Sequence, residues 1–332
     1  MAKILVTGGC GFIGSHLAEQ LTAAGEDVTV LDAARPARGQ LDGVRCLQGD
    51  VRDEAAVAAA AADADIVYHM SAVVGVDRYL TAPADVVEIN LLGTLNVLRS
   101  VRATGSRVII ASTSEVYGKN PATPWHEDAD RVVGSTAADR WSYSTSKALA
   151  EHLTFGYIRQ HNVRATILRY FNVYGPRQRP AYVVSRSVHR ALHGLAPEVY
   201  DSGQQTRCFT YIDDAIRGTM LAANSPKAEG EHFNIGNPRE TTIAEVVGLI
   251  CELAGTAPPA VPLDTAAAWG ARYEDIDRRV PETSKASDLL EFTAAISLRD
   301  GLAATIDWAR ANSWWLALAD EIAPASTGQG AA

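Results

Sequence analysis

Lys3-Ile4-Leu5-Val6-Thr7-Gly8-Gly9-Cys10-Gly11-Phe12-Ile13-Gly14 opens the chain as an apolar run that breaks into glycines. A short apolar run ending at glycines is the pattern of a buried parallel strand. Phe12–Ala24 then carries helix-spaced apolar positions and stops at Gly25, and Asp27–Asp32 reads as a second strand. The chain therefore opens as a βαβ unit. Gly8, Gly11 and Gly14 permit a tight turn, which brings the backbone N–H groups around Phe12 and Ile13 to a helix N-terminus, where a dinucleotide pyrophosphate binds. Asp32 closes the second strand about 20 residues further on, placed to accept hydrogen bonds from an adenosine ribose. Its charge disfavours a 2′-phosphate, so NAD is expected rather than NADP. Arg35 and Arg38 follow closely and read as a solvated loop. Asp50-Val51, after the third strand, is the expected place for adenine contacts.

The rhythm continues outward from this unit. Strands are expected near Val44–Gln48, Ile66–Met70, Arg107–Thr113 and Ala165–Tyr170, and helices near Asp53–Ala62, Pro83–Ala103 and Ser142–Gln160. Such alternation implies an α/β fold, a Rossmann-type doubly wound parallel sheet. After Gly175 the pattern turns irregular and richer in Arg. Val183–Leu192 reads as a helix, Arg207–Ile212 as a strand leading into helix Asp213–Ala223, His232–Ile235 as a short strand, and Thr242–Ala254 as a Thr-capped helix. Residues 1–175 are expected to form the dinucleotide-binding domain, completed by part of 207–240. Residues 176–320 would mainly form a smaller mixed α/β substrate domain, with a loop over Ala257–Ala268, and 321–332 a disordered tail.

Bulk properties narrow the function class. The 332 residues suffice for two lobes, and 47% hydrophobic with 21% charged content is ordinary for a globular protein. A net charge of -9 argues against a nucleic-acid or anionic-membrane binder. The four cysteines show no metal spacing and read as reduced thiols, so no metal is expected. Met1–Thr7 runs straight into the first strand without a signal peptide, and no apolar run reaches membrane-spanning length. A cytoplasmic protein is expected.

The chemistry centres on Ser112-Thr113-Ser114-Glu115-Val116-Tyr117-Gly118 and Tyr143-Ser144-Thr145-Ser146-Lys147. Tyr143 and Lys147 lie four apart on one helix face, so both reach one bound molecule. The Lys charge is expected to bring the phenol down from its ordinary pKa of about 10, as a base for a sugar hydroxyl requires. Thr113, Ser114 and Glu115 add two hydroxyls and a carboxylate, more than hydride transfer alone needs.

These elements together resemble the extended short-chain dehydrogenases/reductases of the NAD-dependent epimerase/dehydratase family. The resemblance rests on the Gly8/Gly11/Gly14 turn, His69-Met70-Ser71-Ala72, Asn90, the Thr113 region, Tyr143/Lys147 and Arg169-Tyr170-Phe171-Asn172-Val173-Tyr174-Gly175. It implies a nucleoside-diphosphate sugar substrate, with Ser71 among the cofactor contacts. Asn172 and Arg207 would face the substrate diphosphate, with Arg177 and Arg186 as weaker candidates. It implies that Tyr143 takes the proton from the C4 hydroxyl, that Thr113 hydrogen-bonds the same oxygen, and that Lys147 holds the nicotinamide ribose. A homodimer through a four-helix contact is implied as well.

Three outcomes compete for the 4-keto sugar: 4-epimerisation, 4,6-dehydration and decarboxylation of a uronate. Longer stretches resemble UDP-glucuronate decarboxylases and UDP-apiose/xylose synthases: Val132-Val133-Gly134, Arg140-Trp141-Ser142-Tyr143, Gln205-Thr206-Arg207-Cys208-Phe209-Thr210 and Phe233-Asn234-Ile235-Gly236-Asn237-Pro238. Tyr273-Glu274-Asp275-Ile276-Asp277-Arg278-Arg279-Val280-Pro281 resembles the segment where those decarboxylases place an active-site Arg. By that match Arg279 sits near the uronate carboxylate or the diphosphate, and Glu115 acts at C5 with Ser114 beside it. UDP-glucuronate decarboxylation is the leading expectation, with 4-epimerisation as the alternative. The loop Ala72–Tyr79 departs from the decarboxylase pattern, and its Arg78 reads as exposed. A non-enzymatic dinucleotide-binding protein is disfavoured, because Thr113, Tyr143 and Lys147 are all present.

Overall fold

The computed structural model describes residues 1–37, 40–255, 258–264 and 276–320, apart from the side chains of Val76, Asp77 and Leu80. Arg38, Tyr273–Asp275, parts of the Ala257–Ala268 loop and the 321–332 tail lie outside the described residues.

Seven parallel strands form the central sheet: β1 (Lys3–Thr7), β2 (Asp27–Asp32), β3 (Arg45–Gln48), β4 (Ile66–His69), β5 (Arg107–Thr113), β6 (Ala165–Tyr170) and, from much later in the chain, His232–Ile235. Their spatial order is β3, β2, β1, β4, β5, β6 and then His232–Ile235. The order reverses between β1 and β4, and ligands of doubly wound sheets bind at that crevice, outside the carboxyl ends of the strands. The first six strands come from residues before 175, and the segment after Arg207 supplies the seventh.

Strand alternation sorts the core into two layers. Ile4, Val6, Val30, Ile109 and Leu168 pack on one face of the sheet. Leu5, Leu31, Val67, Val108, Ile110 and Ile167 pack on the other. That second layer is covered by α2 (Glu54–Ala61), α4 (Pro83–Thr104) and α5 (Ser142–His161), while α1 (Phe12–Ala23) covers the first. Between α2 and α4 a short helix, α3 (Val76–Thr81), follows β4. Local signals set these bounds. Asp53 caps α2 by accepting from Ala55 and Ala56 N–H, and α4 starts at Pro83 and ends at left-handed Gly105.

The C-terminal part departs from the expected pattern at two places: Val261–Leu263, expected as loop, is a short strand paired with Glu198–Tyr200, and the stretch after Thr206 is divided. Arg207–Ile212 is not one strand. It divides into β9 (Thr206–Cys208) and β10 (Thr210–Tyr211), preceded in the chain by β7 (Val173–Tyr174), α6 (Val183–Leu192) and β8 (Glu198–Tyr200), and followed by α7 (Ile212–Asn224). The two halves have different partners, β10 pairing with β7 while β9 lies in a small separate sheet. Phe209, between them, is buried in the core, which lets Arg207 be presented by β9 independently of the helix that follows. The sheet containing β9 is completed by Glu240–Thr242, here β12 after β11 (His232–Ile235), and by a later strand, Arg278–Arg279. The helix α8 (Ile243–Ala254) opens with a capping box between Thr242 and Glu245. A third short pair joins β13 (Val261–Leu263) to β8, so Arg278–Arg279 is β14.

Candidate active site

The glycine turn after β1 is shaped for close approach. Gly8 has φ +71°, and a Cβ there would lie 2.6 Å from the Ser71 backbone nitrogen. A Cβ on Gly14 would lie 2.2 Å from the Gly8 carbonyl, so helix and turn pack too tightly for any side chain. Gly11 differs. Its nearest protein neighbour would be the Gly8 carbonyl at 3.2 Å, and it N-caps α1 with no side-chain hydrogen bond to the helix. The first N–H groups of α1, around Phe12 and Ile13, thus meet a cradle that a Cβ would fill, as a pyrophosphate site requires. Asp32 holds this turn, accepting from Cys10 N–H at 2.9 Å and Ala34 N–H at 2.9 Å. Its carboxylate stays half-exposed at the end of β2, so the residues present fit NAD. Asp50 is engaged by Arg52, with a closest contact of 2.7 Å, and Asn96 ties down the Val51 and Arg52 carbonyls.

The catalytic candidates gather at the carboxyl end of β5. Thr113 ends that strand, and its hydroxyl accepts from the Glu115 N–H, starting a 3₁₀ turn over Ser114–Tyr117 that also carries buried Ser114. Facing it, a turn over Asp139–Trp141 leads into α5, whose first residues include Tyr143 and, one helical turn on, Lys147. The Thr113 hydroxyl hydrogen-bonds the Tyr143 phenol. The Ser144 hydroxyl donates to the Glu115 carbonyl at 2.7 Å, locking the turn to the helix.

Glu115 lies between two guanidiniums. Arg140 donates to Oε2 at 2.6 Å, and Arg279, from β14, donates to Oε1 at 3.1 Å. Burial opposes ionisation of Glu115, but the two arginines outweigh it and hold the carboxyl at about 2. Arg279 is also the register partner of Arg207 on β9. Two like charges in register on one face are unfavourable unless offset, and Glu115 offsets Arg279. Arg207 already donates to the Ile276 carbonyl at 2.7 Å, while Arg279 Nε is buried with no partner. Asn172, at the end of β6, takes φ +37°, and its backbone carbonyl accepts from Thr210 N–H.

Two expectations are corrected here. Tyr143 is not lowered by Lys147: burial pushes the phenol up from its ordinary value, and the Glu115 charge adds to the push, against the Thr113 hydrogen bond and Arg279. Lys147 cannot reverse this, because its own ammonium is buried without a hydrogen-bond partner and is lowered to about 8, with only Glu151 pulling it back. The weaker diphosphate candidates are turned to carboxylates of the chain itself. Arg177 binds both oxygens of Glu19 at 2.7 Å each, and Arg186 pairs with Glu198 and Asp320 at 2.7 Å each. A buried guanidinium needs such partners, and these leave Arg177 and Arg186 paired within the protein.

Sequence reading assigned no role to Arg140 or to Glu151, although the i, i+4 spacing from Lys147 to Glu151 was legible. Glu151 accepts from Ser112 and takes a two-point contact from Arg169 at 2.9 and 2.6 Å. Arg169 also donates to the Tyr117 hydroxyl at 2.8 Å, which donates to Asn234 at 2.7 Å. Ser112, Arg169 and Asn234 are register neighbours across β5, β6 and β11.

A dinucleotide turn at the switch point of a doubly wound sheet, beside a Thr–Tyr–Lys set, defines a nucleotide-dependent enzyme class. The family profile of the NAD dependent epimerase/dehydratase family matches residues 4–236, and the chain belongs to that family. It is 38% identical over 316 residues to the UDP-N-acetyl-alpha-D-glucosaminuronate decarboxylase of Bacillus cytotoxicus, covering 93% of this chain and 98% of that one. It is 32% identical to UDP-glucuronic acid decarboxylase 1 of Xenopus tropicalis, covering 93% of this chain and 72% of that one. Among solved structures it is similar to the UDP-glucuronic acid 4-epimerase of Bacillus cereus in complex with UDP-glucuronic acid and NAD. That likeness has a TM-score of 0.84 at 31% identity, over 93% of this chain and 99% of the other.

Proposed function

We propose that this chain is an NAD-dependent decarboxylase of a UDP-hexuronate, with UDP-glucuronate or its 2-acetamido counterpart as substrate. The observation that carries the reading is the Glu115–Arg279 pair beside Tyr143, with Arg279 keeping a free buried donor for a carboxylate. The two decarboxylase relatives support it. Gly8, Gly11, Phe12, Ile13, Gly14, Asp32, Asp50, Val51, Ser71, Tyr143 and Lys147 would hold NAD, which when bound accepts the hydride from C4. Tyr143 takes the C4 hydroxyl proton, and Thr113 holds the same oxygen in line. Lys147, one helical turn on from Tyr143 and buried, would offset the phenol's developing negative charge once NAD is bound. Arg207, with Asn172, binds the diphosphate, and Arg279 binds the uronate carboxylate.

With C4 a ketone, the C5–C6 bond breaks and carbon dioxide leaves. The bonding pair passes into an enolate whose oxygen faces Tyr143 and Thr113. C5 then takes a proton, and water balances that step, because Glu115 is held ionised and is suited to orient a donor rather than to be one. Incubating the protein with UDP-glucuronate, its 2-acetamido analogue and NAD⁺, followed by mass spectrometry, tests the reading. Loss of carbon dioxide is expected. An unchanged mass with C4 inverted by NMR would replace it with 4-epimerisation, which the Bacillus cereus neighbour favours. Tyr143→Phe should lower turnover by about 10²–10⁴-fold while NAD⁺ binding, followed by titration calorimetry, is retained.

We also read residues 1–175 with β11 as the dinucleotide-binding domain, and 176–320 as mainly the substrate domain. No helix among the described residues is long and apolar enough to cross a membrane. α4 exposes Leu92 and α5 exposes Leu149, apolar positions suited to a four-helix contact with a second copy. Leu92→Glu with Leu149→Glu should halve the mass measured by light scattering; a mass unchanged by both would remove this interface.

A further inference from the structure

We propose that Arg140 is a positioning residue that keeps Glu115 ionised and fixed through turnover, leaving Arg279 free to exchange onto the substrate. The inference rests on the uronate reading for what Arg279 exchanges onto, but the hold of Arg140 on Glu115 is a property of the protein alone.

The two arginines differ in how they are held. Arg140 is 3% exposed, and its guanidinium stacks over the rings of Tyr79 and Trp141 at 5.4 and 5.1 Å. Such stacking fixes a planar cation that Lys would hold less well. It sits in the turn that leads directly into Tyr143, so the segment that sets the phenol also sets the partner of Glu115. Arg279 arrives from β14, next to Arg207, with a longer contact to Glu115 and an unpartnered Nε.

Each arginine occupies a different oxygen of Glu115. Withdrawal of Arg279 therefore leaves the 2.6 Å contact from Arg140 intact, and the carboxylate does not become an unpaired buried charge. Without Arg140, the same withdrawal would strand it, and burial would drive it to take up a proton. The charged and titratable groups facing Glu115 are Arg140 from the turn, Tyr143 from α5 and Arg279 from β14. A phenol is not a cation in either protonation state, so Arg140 is the cation that remains once Arg279 leaves.

The test compares wild type, Arg140→Met and Arg140→Lys, with Arg140→Gln replacing the Met variant if that one does not fold. The Glu115 carboxyl carbon is followed by ¹³C NMR against pH in Glu-labelled protein, assigned by its loss in Glu115→Gln. Its midpoint should rise by about one unit or more in Arg140→Met and return most of the way in Arg140→Lys. In steady-state kinetics Arg140→Met should lose about a hundredfold in kcat, with the KM for the UDP-hexuronate nearly unchanged. A Glu115 midpoint that does not move in Arg140→Met would overturn the proposal, as would a raised KM at unchanged kcat, which would make Arg140 a substrate ligand. If wild type releases no carbon dioxide from either uronate, the decarboxylase reading falls, and the NMR titration still decides the role of Arg140.

Discussion

Two buried arginine–glutamate clusters flank the carboxyl end of β5, one on each side of the Ser112-Thr113 step. Behind the strand, Glu151 is shared by Ser112 and Arg169, and Arg169 turns Nη1 to both Tyr117 and the Glu127 carbonyl, so each of its nitrogens has a partner. In front of it, Glu115 is shared by Arg140 and Arg279, and Arg279 keeps a buried donor with no partner. Both clusters bury ionic groups, yet only one is saturated. A saturated network holds a single arrangement, whereas an unsatisfied buried donor costs free energy that an arriving anion recovers. On that ground the rear cluster suits a scaffold, and the front one suits the anion-binding site proposed above. Lys147 stands between them, on the same helix as Glu151 and one turn from Tyr143.

The sharpest way to break this comparison is to remove one arginine from each side. Arg169→Met strands Glu151 and should cost about 3–5 kcal/mol in urea unfolding. Arg279→Met should cost far less in stability, because Arg140 still pairs Glu115, while decarboxylation is lost. Equal stability losses would erase the distinction.

An acid titration gives a smaller effect. Glu115 titrates near 2 in the folded chain against an ordinary 4.5, so its contribution is complete above about pH 4.5 and is lost as pH falls toward 2. Wild type should lose about 3 kcal/mol more than Glu115→Gln across that window, read from unfolding free energies at successive pH values. Parallel curves would mean the front cluster is not ionised as described. The smallest effect belongs to Ser112→Ala, which removes one donor from a carboxylate that Arg169 still grips. A loss of about 1.5–3 kcal/mol, with kcat little changed, is expected from paired unfolding and turnover assays. A large fall in kcat would show that the rear cluster tunes Lys147.

Much of this is legible in the amino-acid sequence. The Gly8–Gly14 turn, the alternation of strands and helices, and the Tyr143/Lys147 spacing are local patterns, and local patterns survive in one dimension. Even the Thr242 cap was visible. The misreading of Arg207–Ile212 as one strand shows the limit. Nothing in six residues says that the two halves will pair with different strands. The same limit hid Arg140, whose partner lies 25 residues away, and the expected downward push on Tyr143, which burial and Glu115 reverse.

By itself, then, the amino-acid sequence determined the doubly wound sheet, the preference for NAD and the residue types of the proposed reacting centre. These follow from periodicity, glycine geometry and helix spacing, all set by neighbours along the chain. Only the tertiary structure decided how the arginines are partnered, since Arg177 and Arg186 are spent on carboxylates within the protein while Arg207 and Arg279 meet in register. It also decided the charge state of Glu115 and Lys147. Those depend on burial and on groups far apart in the chain, and the electrostatics of a buried pair exist only once folding has excluded water and brought the partners together.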